Sequence, residues 1–189
     1  KNFIKSNLKK REKIKFFQKN YLNLISIGRL HDQKDHLTLL KSINLLEKNF
    51  KVRLIIVGKG KEKKILQNFI LTNNLQDRVR LFGYLKNPYN YLNNSDIVIS
   101  TSKFEGLPNI LLEAQYLKKY IISTNCETGP KEILLNGEAG DLISIGDYKK
   151  LSFLIKNYHK RKKIIKKKIS IGTKNFYRFD YRLNCNKYL

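Results

Sequence analysis

The stretch Ile97-Val98-Ile99-Ser100-Thr101-Ser102-Lys103-Phe104-Glu105-Gly106-Leu107-Pro108-Asn109-Ile110-Leu111-Leu112-Glu113-Ala114 decides the fold, because it reads as strand, short loop and helix in immediate succession. The run Ile97-Val98-Ile99 has the character of a buried strand. Pro108 suits the first helical position, where its missing N–H costs nothing and its φ is already helical. Gly106 lets the backbone approach a neighbour closely. Amides opening such a helix, together with the helix dipole, favour an anion in the loop. Glu105 then sits in the loop and Glu113 further along the helix, so two carboxylates flank one anion-binding corner. That pairing suits a ligand whose hydroxyls donate to the carboxylates while the amides hold its phosphate. An ordinary strand-to-helix turn accounts for the same residues without a ligand.

Outward from this stretch the same unit repeats. Leu22-Asn23-Leu24-Ile25-Ser26-Ile27 is a strand closed by Gly28. Asp35 is a plausible N-cap, and Leu37, Leu40, Ile43 and Leu46 make the inward face of the next helix. Val52 to Val57 is a strand closed by Gly58-Lys59-Gly60, with a helix to about Leu71. Val79-Arg80-Leu81-Phe82 is a third strand, closed by Gly83, and a short helical piece follows around Tyr89 to Leu92. After the central helix come the strand Tyr120-Ile121-Ile122-Ser123, a loop to Pro130, a short helix through Leu135 and a last strand within Gly140 to Ile145. Short strands alternating with helices predict a doubly wound, Rossmann-like parallel α/β sheet covered on both faces. Residues 1–20 read as a linker or the end of a preceding domain, outside the core. Residues 21–147 read as the Rossmann-like domain, and 148–189 as basic C-terminal helices.

Length and composition set bounds. The chain has 189 residues, enough for one domain with a sizeable core, and it contains no Met, so a fragment of a longer protein is expected. No apolar run approaches the ~18 residues of a membrane span. Cys126 and Cys185 fit neither a disulfide framework nor a metal motif, which suits a reducing, cytoplasmic setting. The net charge of +24 has three competing explanations: nucleic acid, an anionic membrane surface, or codon drift toward Lys, Asn and Ile. Lys outnumbers Arg by 31 to 8, which favours drift, and no nucleic-acid motif is present. Clusters at Lys9–Lys19 and Lys160–Lys168 also suit peripheral attachment to anionic lipid.

In such a sheet ligands bind at the carboxyl ends of the strands. The loop after the first strand carries Arg29, a planar fork for phosphate oxygens, and Lys34, a compact charge. Glu132 falls in the first turn of its short helix, where the dipole favours a carboxylate. His31 and His36 lack metal spacing, His159 lies in a basic helix, and no D-x-D occurs, so no metal is expected. Without one, Arg29, Lys34 and the helix amides must neutralise a leaving group.

Glu105 and Glu113, with seven residues between them and in the context Gly-Leu-Pro-Asn-Ile-Leu-Leu-Glu-Ala, resemble the E-x7-E signature of retaining GT-B glycosyltransferases of the GT4 family. Gly28-Arg29-Leu30-His31-Asp32-Gln33-Lys34 resembles that family's G-R-L-x-x-x-K element, in which Arg and Lys hold the donor diphosphate. Thr128-Gly129-Pro130-Lys131-Glu132-Ile133-Leu134 resembles a T-G-P-x-E-I-L element of members that build bacterial surface polysaccharides. The likeness runs from about Leu22 to Asp147. It implies one half of a GT-B enzyme, the donor-binding half, inactive by itself, with the acceptor site in the N-terminal half of the same enzyme. The implied reaction moves a sugar, with retention, from a nucleoside diphosphate sugar (a UDP-sugar foremost) to a glycan or lipid-linked acceptor. The implied catalytic residues are Arg29, Lys34 and Glu105, with Glu105 binding the donor sugar rather than attacking it. The implied donor contacts are Gly28, Arg29, Lys34, Gly58, Tyr84, Glu105, Gly106, Leu107, Pro108, Asn109, Ile110 and Glu113, the last on the ribose. A non-catalytic nucleotide-binding or membrane-docking module is the alternative. An NAD-dependent oxidoreductase is weaker, because the first loop lacks G-x-G-x-x-G.

Overall fold

The computed structural model describes Ile4, Leu8 and residues 14–179. Phe3, Cys185, the Lys9–Lys13 part of the first basic run and the end of the C-terminal segment lie outside the described residues. Six parallel strands form one sheet: β1 (Leu22–Ile27), β2 (Val52–Val57), β3 (Val79–Phe82), β4 (Ile97–Ser100), β5 (Tyr120–Thr124) and β6 (Asp141–Ile143). Their order is β3-β2-β1-β4-β5-β6. The chain builds outward on one side as far as β3 and then returns to place β4 against β1. That reversal opens a crevice above the β1–β4 pair, where Leu24 and Ile25 register with Ile97 and Val98.

The strands are apolar throughout because both faces are covered. Alternate residues of each strand enter opposite layers. Leu24, Leu54, Ile56, Ile97, Ile99 and Ile122 pack toward α1 (His36–Asn44), α2 (Lys63–Thr72), α6 (Tyr148–Lys156) and α7 (Lys162–Lys174). Ile25, Ile55, Val57, Val98 and Ile121 pack toward α3 (Tyr89–Asn94), α4 (Asn109–Tyr116) and α5 (Pro130–Ile133).

Three expectations need correction. Pro108 is the N-cap of α4 with ψ 98°, and the helix starts at Asn109. Leu40, Ile43 and Leu46 are buried as expected, but the fourth buried residue of that face is Leu39, and Leu37 is only half-buried. Ile4, Leu8, Ile14, Phe16 and Phe17 pack onto the second layer, so these five side chains add to the core. Phe16 also lies under the guanidinium groups of Arg53 and Arg80, and Tyr21 under that of Arg53, which lets cationic strand residues sit on a half-covered face.

Candidate functional site

Two loops meet above the β1–β4 crevice. The loop after β1 is laced to the next one, with the Gly28 amide donating to the Val57 carbonyl at 3.0 Å and the Leu30 amide to Lys59 at 2.9 Å. Gly58 is required by this seat: a Cβ there would fall on the Gly28 carbonyl oxygen. A turn over Asp32–Lys34 then leads to Asp35, whose carboxylate caps α1 through the Thr38 amide at 3.2 Å and hydroxyl at 2.7 Å. The Thr101 hydroxyl, at the end of β4, holds the carbonyls of Lys34 and Asp35 at 3.0 and 2.9 Å.

Gln33 joins this loop to the Glu105 loop. Its carbonyl accepts from the Lys103 amide at 2.8 Å, and its side-chain amide donates to the Phe104 carbonyl at 3.0 Å. Arg29 reaches the Gln33 side-chain oxygen at 3.5 Å. Lys34 forms an ion pair with Glu105 across the crevice, and the Ser102 hydroxyl donates to the same carboxylate oxygen at 2.6 Å. The Glu105 side chain is 8% exposed, so it is held, not solvated. Behind it the loop after β5 acts as a buttress. Thr128 donates to the Glu105 carbonyl, and Gly129, at φ 77°, packs so tightly on the Gly106 carbonyl that no side chain fits. Cys126 and Thr124 both bond the Ser102 carbonyl, at 3.0 and 2.5 Å. The thiol is buried, which pushes its pKa up and makes it a structural contact.

The start of α4 stays open. No side chain caps it, and Gly106 has nothing of the chain within 4 Å of where a Cβ would stand. First-turn amides are therefore available to a ligand. Leu107 is exposed, Asn109 is exposed, Ile110 is half-buried and Pro108 is buried. Glu113 is half-buried one turn on, and Tyr89 donates to its Oε1 at 3.2 Å. Burial raises the Glu113 pKa, and the Tyr89 hydrogen bond opposes that rise.

Gly28, Arg29, Lys34, Glu105 and Gly106 thus gather at one corner, with Glu113 on the helix that leaves it. Tyr84 stands apart, 68% exposed beyond β3. A cavity of about 300 Å³ beside the first loop is lined by Leu30, Gly58, Lys59, Gly60, Lys63 and Phe82, not by Tyr84. Glu132 lies in the first turn of α5, consistent with a helix-end role. Thr128 joins the corner from the T-G-P-x-E-I-L element, whereas Gln33, Ser102 and Tyr89 complete it with nothing in the local pattern to single them out. A hydroxyl or amide three residues before a charged loop residue is too common to read.

His36 lies 2% exposed at the start of α1. Its Nδ1 is 3.4 Å from the Ser26 hydroxyl, and its Nε2 has no hydrogen-bond partner among the described residues. Burial first, then the charge of Lys34, lowers its pKa to about 4 against a weaker pull from the Arg29 and Gly28 backbone. It is a neutral packing residue at ordinary pH. Among the described residues no group of three or more His, Cys, Asp or Glu is placed to hold a metal, and no helix is long and apolar enough to cross a membrane.

A parallel sheet that reverses at β1–β4, with cationic and acidic loops joined above that reversal, defines a Rossmann-like α/β domain. Residues 7–172 match the model of the family described as Glycosyl transferases group 1, and the chain belongs to that family. It is 42% identical over 125 residues to an uncharacterized glycosyltransferase of Methanocaldococcus jannaschii, covering 62% of this chain and 31% of that protein. It is 28% identical over 170 residues to the N-acetylgalactosamine-N,N'-diacetylbacillosaminyl-diphospho-undecaprenol 4-alpha-N-acetylgalactosaminyltransferase of Campylobacter jejuni, covering 88% of this chain and 46% of that one. The fold matches HepE of Anabaena, solved in complex with UDP, with a TM-score of 0.76 at 21% identity, over 84% of this chain and 44% of that one. The chain spans about a third to a half of the length of the proteins it matches.

Proposed function

We propose that this chain is the donor-binding half of a retaining, GT4-type glycosyltransferase of GT-B architecture. It would transfer a sugar from a nucleoside diphosphate sugar, a UDP-sugar foremost, to a glycan or lipid-linked acceptor. The reading is carried by the Lys34–Glu105 ion pair, which bridges the loops of β1 and β4 at the sheet's reversal, where ligands of such sheets lie. Arg29, Lys34 and the first-turn amides of α4 take the diphosphate, whose charge grows as the glycosidic bond breaks. Fixed donors aimed at developing charge lower that barrier without a metal. Glu105 holds Lys34 in the corner and accepts hydroxyls of the donor sugar. It binds and positions, and is not the nucleophile. Glu113 accepts the ribose hydroxyls. Acceptor binding belongs to an N-terminal half, so this half transfers nothing alone.

Two matched proteins bear on the substrate class: the Campylobacter enzyme acts on an undecaprenol-linked glycan, and HepE was solved with UDP. A lipid-linked acceptor places the enzyme against the cytoplasmic face of a membrane. The basic outer face of α7 supports this, because Lys163, Lys166 and Lys167 form no ion pair among the described residues. The decisive experiment titrates UDP, GDP and ADP, each free and as its glucose conjugate, against the chain and its Glu113→Ala variant. One base should raise the melting temperature, with affinity at least tenfold weaker in the variant. Equal titrations of the two proteins refute the assignment.

A further inference from the structure

Tyr89 opens α3 immediately after Asn87 and Pro88. The Asn87 side-chain oxygen accepts the Tyr89 amide at 3.1 Å, and Pro88 is the helix N-cap, so the backbone is fixed before the side chain begins. The Tyr89 side chain is packed into the second layer with Leu92, Val98 and Leu111, leaving the residue 6% exposed. A phenylalanine ring would fill that space as well. A hydroxyl brought so far from water costs free energy unless it is paired, and here it donates to Oε1 of Glu113.

Glu113 needs such a donor. It is half-buried, and burial pushes its carboxyl toward the protonated form. A protonated carboxyl offers fewer acceptor sites and is a weaker acceptor. A carboxylate without a fixed partner also has several rotamers to lose when a ligand arrives. The Tyr89 hydrogen bond opposes protonation and restrains the rotamer at once. Oε2 has no partner among the described residues and is left to accept from a ligand. Burial, with Glu113 beside it, raises the Tyr89 pKa, so the hydroxyl stays a donor across the working range.

We infer that Tyr89 is a positioning residue for ribose recognition: it holds one oxygen of Glu113 so that the carboxylate is ionised and oriented before the nucleotide's 2′ and 3′ hydroxyls reach it. The inference rests on the reading of Glu113 proposed above and adds the residue that makes that reading work. It also distinguishes Tyr89 from Tyr91, which stacks edge-on against Phe82 with ring centroids 5.4 Å apart and has an apolar task.

The test compares UDP with 2′,3′-dideoxy-UDP, by calorimetric titration, on the unaltered chain, Tyr89→Phe, Glu113→Gln and the double variant. GDP and ADP with their dideoxy forms replace them if UDP does not bind. Tyr89→Phe should keep the fold and weaken the ribonucleotide by about 3- to 10-fold, the range of one ordinary net hydrogen bond. It should leave the dideoxy nucleotide unchanged. The double variant should match Glu113→Gln alone, because Tyr89 acts through that carboxylate. Equal loss for both nucleotides, no loss for either, or an effect that adds fully to Glu113→Gln overturns the inference. Glu113→Gln weakening both nucleotides alike overturns the ribose reading itself, and so does the absence of binding by all three bases. A selective Glu113→Gln beside an inert Tyr89→Phe overturns only the role of Tyr89.

Discussion

Glu105 and Asp141 are both shielded carboxylates paired with lysine, and they sit at opposite ends of the sheet. Glu105 lies beyond the carboxyl end of β4, and Asp141 starts β6 at the amino end. Asp141 is saturated. The Tyr120 hydroxyl donates to it, Arg161 reaches it at 2.8 Å and Lys168 at 3.2 Å. Arg161 also bonds the Tyr120 hydroxyl at 3.0 Å, and Lys168 the Gly140 carbonyl at 2.9 Å. Every partner is already used, so this cluster bolts α7 onto the sheet and has no capacity for a ligand. Burial raises the Asp141 pKa, but the Tyr120 bond and the two cations outweigh it and hold the carboxyl below its usual range. Glu105 has two side-chain partners, Lys34 and Ser102, and lies beside a helix start that no side chain caps. Similar chemistry is a lock in one place and a socket in the other.

Exchanging the two carboxylates for amides separates lock from socket. Asp141→Asn strands Arg161 and Lys168 in a half-buried setting, and breaking such a cluster should cost about 3–5 kcal/mol of unfolding free energy. The denaturant midpoint measures it, and a loss below about 1 kcal/mol would make the cluster ornamental. Glu105→Gln should lower sugar transfer by the full-length enzyme by about 10²- to 10³-fold with a clearly smaller stability loss than Asp141→Asn. A Glu105 variant that unfolds as readily and still transfers sugar reverses the comparison.

The socket end also carries a buried ring nitrogen without a hydrogen-bond partner among the described residues, that of His36. Its folded pKa of about 4 lies below the ordinary value of 6.5, so the unfolded chain takes up the proton first as pH falls. Stability from neutral His36 is full above about pH 6.5, declines below it and is spent near pH 4. Between pH 7 and 5 the loss should be about 2 kcal/mol, read from the denaturant midpoint at each pH. His36→Gln should flatten that slope whatever its own stability. A wild-type slope retained in the variant assigns the pH dependence elsewhere.

What the sequence disclosed follows the same division. The strands were legible because each is a short apolar run closed by glycine or a polar turn, and both corner carboxylates were legible because they lie within one contiguous motif. Gln33 and Tyr89 were not, since their partners Phe104 and Glu113 lie 71 and 24 residues away and no periodicity encodes such contacts. Pro108 was misplaced by one position because the loop reaches the helix in extended backbone, and N-cap and first-turn proline look alike in a string of letters. The first segment was read as a linker outside the core, yet Ile4, Leu8, Ile14, Phe16 and Phe17 pack against the second layer, a contact that no local pattern encodes.

The helix bolted by Asp141 turns its remaining charge outward, which yields the smallest and most demanding test. From Tyr148 to Phe179 there are twelve Lys or Arg and no Asp or Glu. Arg161 and Lys168 face Asp141, whereas Lys163, Lys166 and Lys167 are left on the far side. Lys163 and Lys167 repel at i, i+4 spacing, and an anionic surface would relieve that repulsion. The exposed Ile164 beside them adds an apolar contact of the kind that settles at a headgroup boundary. Each such lysine is worth about 1 kcal/mol near anionic lipid, so Lys166→Gln should weaken co-sedimentation with phosphatidylglycerol vesicles by roughly fivefold and leave nucleotide affinity untouched. Binding should fall steeply with salt, since the outward charges are exposed. Unchanged vesicle binding in Lys166→Gln would return these lysines to codon drift, and the outward face of α7 would then be solvated surface, with Asp141 and the buried Ile165 giving the helix its place.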